Sequence, residues 1–300
     1  MKKNNSNKIY ESRSSIYNGL REGVSDSIKD DKGILIKINL VKYKSEIRTI
    51  KKKISNLIYK SIDTYHQKKF IRKKNFLYSY LNEISSLPNI TPNGAIRPKK
   101  EIIKEYNIFH KSVVNLFKKI GIYKNIDNAM NVVLRIKKGA EKYTIKKRSY
   151  ATSKIHSDSW SGMALDSVAM IMMIGDISNN TVDCYEPIDF KVNILKKMKK
   201  YDQGKKYYKK IKHIAKVEKD ELVIFDQLCL HKSSISKNAG PRISIDVGID
   251  WKKEKNNYNF QKKSKRYEVF NNKNWGDLNY GSIQRNKESL MDSKLYNKLS

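Results

Sequence analysis

Between Asn131 and Asp250 the chain passes through six short runs rich in branched residues: VVLRI at 132–136, YATSKI at 150–155, SVAMIMMI at 167–174, TVDCYE at 181–186, ELVIFD at 221–226 and RISIDVGID at 242–250. Branched side chains fit a pleated, half-buried surface. Strands that succeed one another with few helices between them favour a sandwich or barrel over a doubly wound parallel sheet. One exception is the Lys-rich stretch at 191–210, where Val192, Leu195, Met198 and Tyr201 can line one side of a helix inserted between strands.

The preceding residues have a different period. GILIKINLV at 33–41 reads as a strand, and Ile47, Ile50, Ile54, Leu57, Ile58 and Ile62 then recur at helical spacing. A second helix is predicted over 98–120, with Pro98 in its first turn, Ile102, Tyr106, Phe109, Val113 and Phe117 along one face, and Gly121 at its end. The expected organisation is a polar tail at 1–30, a mainly helical extension at 31–130 packed on the core, a β core at 131–251 with the helical insertion near 191–210, and carboxy-terminal loops around Trp275 with a tail over 252–300.

The formal charge of +33 raises nucleic acid, a membrane surface or an anionic substrate as partners. Yet 53 of the 63 basic residues are Lys and only ten are Arg. Nucleic-acid readers draw on the planar fork of Arg, whereas this composition, heavy also in Asn, Ile and Tyr, follows a bias toward A- and T-rich codons. Nucleic acid is therefore not the expected partner. The two cysteines, Cys184 and Cys229, lie in apolar surroundings without framework spacing and read as free thiols of a reducing compartment. MKKNNSNKIYESRSS carries no apolar run after its basic start, and VAMIMMIG at 168–175 is far shorter than the roughly 20 residues that span a bilayer. A cytoplasmic protein without a membrane span is expected; its oligomeric state is not legible.

The chemistry begins at HSDSWSG, 156–162. In an extended or turning segment, residues two apart can face the same way, so His156 and Asp158 can offer a ring nitrogen and a carboxylate oxygen to one ion. His231, after ELVIFDQLCL, can supply the third ligand from a strand followed by a short turn. Two imidazoles and one carboxylate on one octahedral face suit Fe(II) and leave three positions open, whereas a closed zinc site takes four protein ligands. Eleven residues after His231, PRISID places Arg242, Ser244 and Asp246 on one face of a strand, where a guanidinium and a hydroxyl can hold a carboxylate.

These residues resemble the phytanoyl-CoA dioxygenase-like branch of the Fe(II) and 2-oxoglutarate dependent oxygenases. His156, Asp158, His231 and Arg242 match its pattern position by position, Ser244 matches its Arg-x-Ser habit, and FDQLCLHKSSISKNAGPRIS at 225–244 is similar to its characteristic phrase. The resemblance covers 131–251 and implies a mainly β fold with added helices: a double-stranded β-helix, the cupin-like jelly roll, with an amino-terminal helical extension. It implies Fe(II) on His156, Asp158 and His231, and 2-oxoglutarate held by Arg242 and Ser244. With O2 as second co-substrate, the implied reaction yields succinate, CO2 and a hydroxylated product. Asp158 argues against the halogenating variant, in which a small residue vacates that position for chloride. HSDSWSG is most similar to a subgroup encoded with bacterial surface-carbohydrate genes. That similarity implies a small, anionic, phosphorylated or nucleotide-linked carbohydrate metabolite as substrate.

Arg135, Arg148 and Lys154 flank the expected mouth and suit such a substrate, while Trp160 can stack on a sugar face. Each also has a plainer reading as a solvated or packing residue. Two other functions use the same architecture. A cupin-like metal-dependent isomerase would need no carboxylate clamp at Arg242, and a non-enzymatic polyanion-binding jelly-roll module would rest on charge alone.

Overall fold

The computed structural model describes residues 28–29, 35–130, 132–139, 148–162, 167–174, 179–187 and 197–251, with three short strands beyond them. The strands in chain order are β1 (Ile28–Lys29), β2 (Leu35–Asn39), β3 (Ala95–Ile96), β4 (Ile126–Met130), β5 (Val133–Lys137), β6 (Ser167–Ile174), β7 (Asn180–Pro187), β8 (Ile211–Lys216), β9 (Glu221–Asp226), β10 (Leu230–Ile235), β11 (Arg242–Trp251), β12 (Val269–Asn271), β13 (Gln284–Arg285) and β14 (Glu288–Ser289). The two long helices are α1 (Lys44–Tyr65) and α2 (Ile103–Ile120).

A large antiparallel sheet runs β1-β2-β9-β6-β11-β4-β12, and a second sheet runs β10-β7-β8. The long β11 organises the first of these. It pairs with β6 along one edge, while β5 takes the Arg242–Asp246 stretch of its other edge and β4 the stretch from Ile249 onward.

Alternation along the strands separates two cores. Leu222 and Ile224 of β9, with Ile243 and Ile245 of β11, pack against Ile50, Ile54, Leu57, Phe109, Val113 and Phe117 of the helices. Val223 and Phe225 turn the opposite way, toward Val182 and Cys184 of the small sheet and Ala215 of β8. This explains why ELVIFD is buried at every position. The result is a mixed α/β fold in which helices cover one face of the large sheet and the small sheet covers the other.

Both helices bury the faces that their spacing predicts. α2 ends at Gly121, whose φ of +90° is the left-handed conformation that glycine adopts freely. Its Tyr106 hydroxyl donates to the Val132 carbonyl at 2.8 Å and ties the helix to the start of β5. Cys184 and Cys229 are buried and free. A hydrogen bond with Cys184, then burial, pushes the Cys229 thiol well above its usual range. Among the described residues, no helix is long and apolar enough to cross a membrane.

Several local expectations need correction. YATSKI at 150–155 forms turns, not a strand. Pro98 lies ahead of the helix, which opens with a 3-10 turn at Lys100–Ile102. His231 follows a strand and a short turn as expected, and is itself the second residue of the next strand, β10. In the predicted insertion, 191–196 lie outside the described residues and the remainder holds a 3-10 helix, Tyr201–Tyr207, in place of an α-helix. Tertiary packing sets that segment: a Cβ on Gly204 would stand 2.1 Å from the Trp160 ring. β2, β3 and β4, all before residue 131, join the large sheet. The expected tail at 1–30 lies outside the described residues except for β1, and the region at 252–300, Trp275 included, lies outside them except for β12, β13 and β14.

Candidate metal centre

β9 ends at Asp226, whose side chain accepts the Leu228 N–H at 2.8 Å and whose carbonyl accepts the Cys229 N–H at 2.9 Å. This tight turn swings the chain from the large sheet into β10 and places His231 on its second residue. His156 faces it across an isolated antiparallel bridge. The His156 N–H donates to the His231 carbonyl at 3.0 Å, and the His231 N–H donates back at 2.8 Å.

The segment after His156 is fixed by its small polar residues. Ser157 is extended, and its hydroxyl donates to the Gln227 carbonyl at 2.5 Å. The Ser159 N–H reaches the same carbonyl at 3.3 Å. A 3-10 turn, Asp158–Ser161, then closes on Gly162, and Trp160 anchors it in an apolar cluster with Met198, Tyr201, Leu228 and Leu230. HSDSWSG is therefore a short extended piece followed by a tight turn, with Asp158 at the corner.

The hydrogen bonds settle which ring nitrogens carry protons. His156 Nδ1 lies 2.7 Å from the Lys154 carbonyl and His231 Nδ1 lies 3.1 Å from the Cys229 carbonyl. A carbonyl can only accept, so both Nδ1 atoms donate, and in the neutral rings Nε2 keeps its lone pair. Each Nε2 stands 3.8 Å from Asp158 Oδ1. Burial holds His156 well below the usual imidazole range, and His231, Lys137 and Arg135 push the same way against the Lys154 carbonyl. The His156–Asp158 approach is accordingly not an ion pair, and 3.8 Å is too long for a hydrogen bond. One ligand atom from each of the three residues lies within 4.8 Å of the others, and all are electron-pair donors. Such a cluster repels itself unless a cation sits among it. Two imidazoles and one carboxylate form the donor set that holds non-haem Fe(II).

Around the cluster, Tyr201 stacks on the His156 ring at 4.1 Å and 19°, and Phe225 lies 4.8 Å from the His231 ring. All five line one cavity of about 180 Å³ with Asp158 exposed to it. Arg242 and Ser244 line the same cavity and are buried. Arg242 Nη2 donates to Ser233 Oγ at 3.2 Å, crossing from the large sheet to the small one.

Sequence reasoning missed Lys137. It stands opposite Arg242 in the β5–β11 register, is buried, and donates to Thr152 Oγ1 at 3.0 Å. Period two along VVLRIK puts it on the face of Arg135, which was the available signal. Tyr201, Ser233 and Gln227 were also missed as cavity residues.

The expected substrate contacts are dispersed. Arg135 lines the cavity, but its Nε donates to Asp246 Oδ2 at 2.5 Å and its Nη1 to the Asn93 carbonyl at 3.0 Å. Lys154 pairs with Asp202 at 2.5 Å and is not part of the lining. Arg148 is half-buried and is not part of that lining. Trp160 is fully buried beneath Gly204 and presents no face to a ligand.

No family model matches the sequence, and no curated protein matches it. Solved structures with a partial likeness include AviO1 from Streptomyces viridochromogenes Tue57, at 13% identity and a TM-score of 0.42 over 78% of this chain and 94% of that one. A second is the non-haem alpha-ketoglutarate dependent epimerase SnoN from nogalamycin biosynthesis, at 8% identity and a TM-score of 0.38 over 78% and 82%. A third is a Trichoplax adhaerens prolyl hydroxylase in complex with a hypoxia inducible factor peptide fragment, at 11% identity and a TM-score of 0.38 over 81% and 92%. Likeness at this level decides nothing about chemistry; the site's own geometry makes it a candidate centre for a divalent metal held by His156, Asp158 and His231.

Proposed function

We propose that the protein is an Fe(II)- and 2-oxoglutarate-dependent oxygenase that hydroxylates a small carbohydrate-derived metabolite in the cytoplasm. One observation carries this reading: one ligand atom from each of His156, Asp158 and His231 converges within 4.8 Å, in a cavity where buried Arg242 and Lys137 stand side by side. The first group calls for a cation and the second for a carboxylate. A cupin-like isomerase has no use for the second group. Two antiparallel sheets facing each other across the cavity support a double-stranded β-helix core.

His156, Asp158 and His231 would hold the metal, and none of them acts as a general base. Arg242, with Ser244, Ser233 and Lys137 beside it, would hold the distal carboxylate of 2-oxoglutarate. When bound, the metal with 2-oxoglutarate and O2 supplies the oxidation, releasing succinate and CO2 and placing one oxygen atom on the substrate. The residues of the chain bind, orient and exclude water, with Phe225, Ile171 and Val182 providing the apolar walls. The carbohydrate substrate rests on the sequence resemblance, and succinate release across sugars, acyl thioesters and amino acids tests it.

Under anaerobic conditions the protein should bind one Fe(II) and one 2-oxoglutarate per chain. The weak visible charge-transfer band of the chelate reports both, and its absence from folded, iron-loaded protein would overturn the assignment. Tyr201 bears on the metal through His156. Its ring covers one face of His156 while the Lys154 carbonyl fixes the edge. Tyr201→Leu should weaken metal binding about tenfold, the lower end of outer-shell effects, whereas Tyr201→Phe should bind like the parent. Metal titration of both variants separates stacking from bulk.

A further inference from the structure

The turn between β9 and β10 brings a buried amide side chain, that of Gln227, to the cavity. The Gln227 carbonyl accepts from Ser157 Oγ at 2.5 Å and from the Ser159 N–H at 3.3 Å, so its backbone is docked against both neighbours of Asp158. Its side chain is 0% exposed and lines the cavity with His156, Asp158 and His231. Neither Oε1 nor Nε2 has a hydrogen-bond partner. A leucine or methionine would fill this volume without burying an unpaired amide. Asn93 Oδ1 is a second buried acceptor without a partner on the same cavity wall.

Gln227 needs a ligand that donates to Oε1 and accepts from Nε2. A hydroxyl does both, as does a secondary amide. A carboxylate or phosphate only accepts and an ammonium only donates, so 2-oxoglutarate cannot complete it. The cations that an anionic substrate would use are committed elsewhere, Arg135 to Asp246 and Lys154 to Asp202. We propose that Gln227 is a specificity-determining residue that takes a neutral hydroxyl of the substrate beside the metal, so that the part of the molecule entering the cavity there is uncharged and hydroxyl-bearing. This deepens the oxygenase reading and rests on it. A phosphate or nucleotide carried by the substrate stays outside.

Gln227→Leu and Gln227→Met in the full chain test the idea in two ways. Without ligands, removing an unsatisfied buried amide should raise Tm by about 2–4 °C in Gln227→Leu; a lower Tm in both variants would show that the amide is satisfied within the fold and would overturn the proposal. With Fe(II), 2-oxoglutarate and air, oxygen-dependent succinate release is measured with glucose, N-acetylglucosamine and their UDP conjugates, against hexanoyl thioester, proline and lysine. Stimulation by the first group, lost at least tenfold in Gln227→Leu while its 2-oxoglutarate affinity stays that of the parent, supports the proposal. Stimulation only by the second group, by no compound of the first, or equally in the variant and the parent overturns it. So does a variant whose 2-oxoglutarate affinity falls. Failure of the parent to form the Fe(II)–2-oxoglutarate complex refutes the oxygenase reading instead, and is read separately from the charge-transfer band.

Discussion

Asp158→Ala protein is expected to fold and to show no 2-oxoglutarate-dependent turnover. Asp158 supplies the only carboxylate of the cluster, and its side chain is 27% exposed, so its removal empties a corner of the cavity without opening the core. Two imidazoles remain, joined by their backbone bridge, and they offer a divalent ion neither charge compensation nor a third anchor. The loss of metal affinity should exceed the roughly 10- to 100-fold that follows loss of an outer-shell partner. The measurement is anaerobic Fe(II) binding beside succinate release, with thermal unfolding as the check on folding. Full oxoacid-coupled activity in this variant would mean that Asp158 is not a ligand.

Arg242→Ala should separate co-substrate from metal. Arg242 is 1% exposed and reaches from β11 to Ser233 on the opposite sheet, so its charge sits at the closed side of the cavity. Deleting one partner of a buried, hydrogen-bonded charge pair costs about 2–5 kcal/mol, which is roughly 30-fold or more in 2-oxoglutarate affinity. Fe(II) affinity should change little, because the three candidate metal ligands are His156, Asp158 and His231, not Arg242. Lys137→Met should act in the same direction through its place opposite Arg242. Unchanged 2-oxoglutarate affinity in Arg242→Ala would leave Arg242 as a structural residue bridging the two sheets.

The sequence was most legible where one physical signal dominates. SVAMIMMI and ELVIFD match their strands residue for residue, because a strand buried on both faces is apolar throughout its length. His156, Asp158, His231 and Arg242 share a cavity as expected, since ligand chemistry constrains residue type and spacing together. What stayed hidden depends on burial and partners. Lys137 is one of 53 lysines, and nothing in its neighbours announces that it is enclosed. Arg135 reads as an available cation until Asp246 is seen across the ladder. Trp160 follows the metal motif at a distance that invites a ligand role, yet Gly204 packs on its ring and closes it off. The Lys-rich stretch before β8 carries a helical stripe, but the Trp160–Gly204 contact holds its described part in a tighter coil.

The reciprocal backbone bridge between His156 and His231 bears on when the metal can enter. In domains that fold only around their ion, ligand geometry and chain order arrive together, and chelation denatures them. Here two peptide hydrogen bonds already hold the imidazole pair in register, supported by the turn at Asp226 and the seryl contacts to Gln227. Two of the three candidate ligands are therefore set by main-chain pairing, so a substitution that breaks this bridge should displace both imidazoles at once.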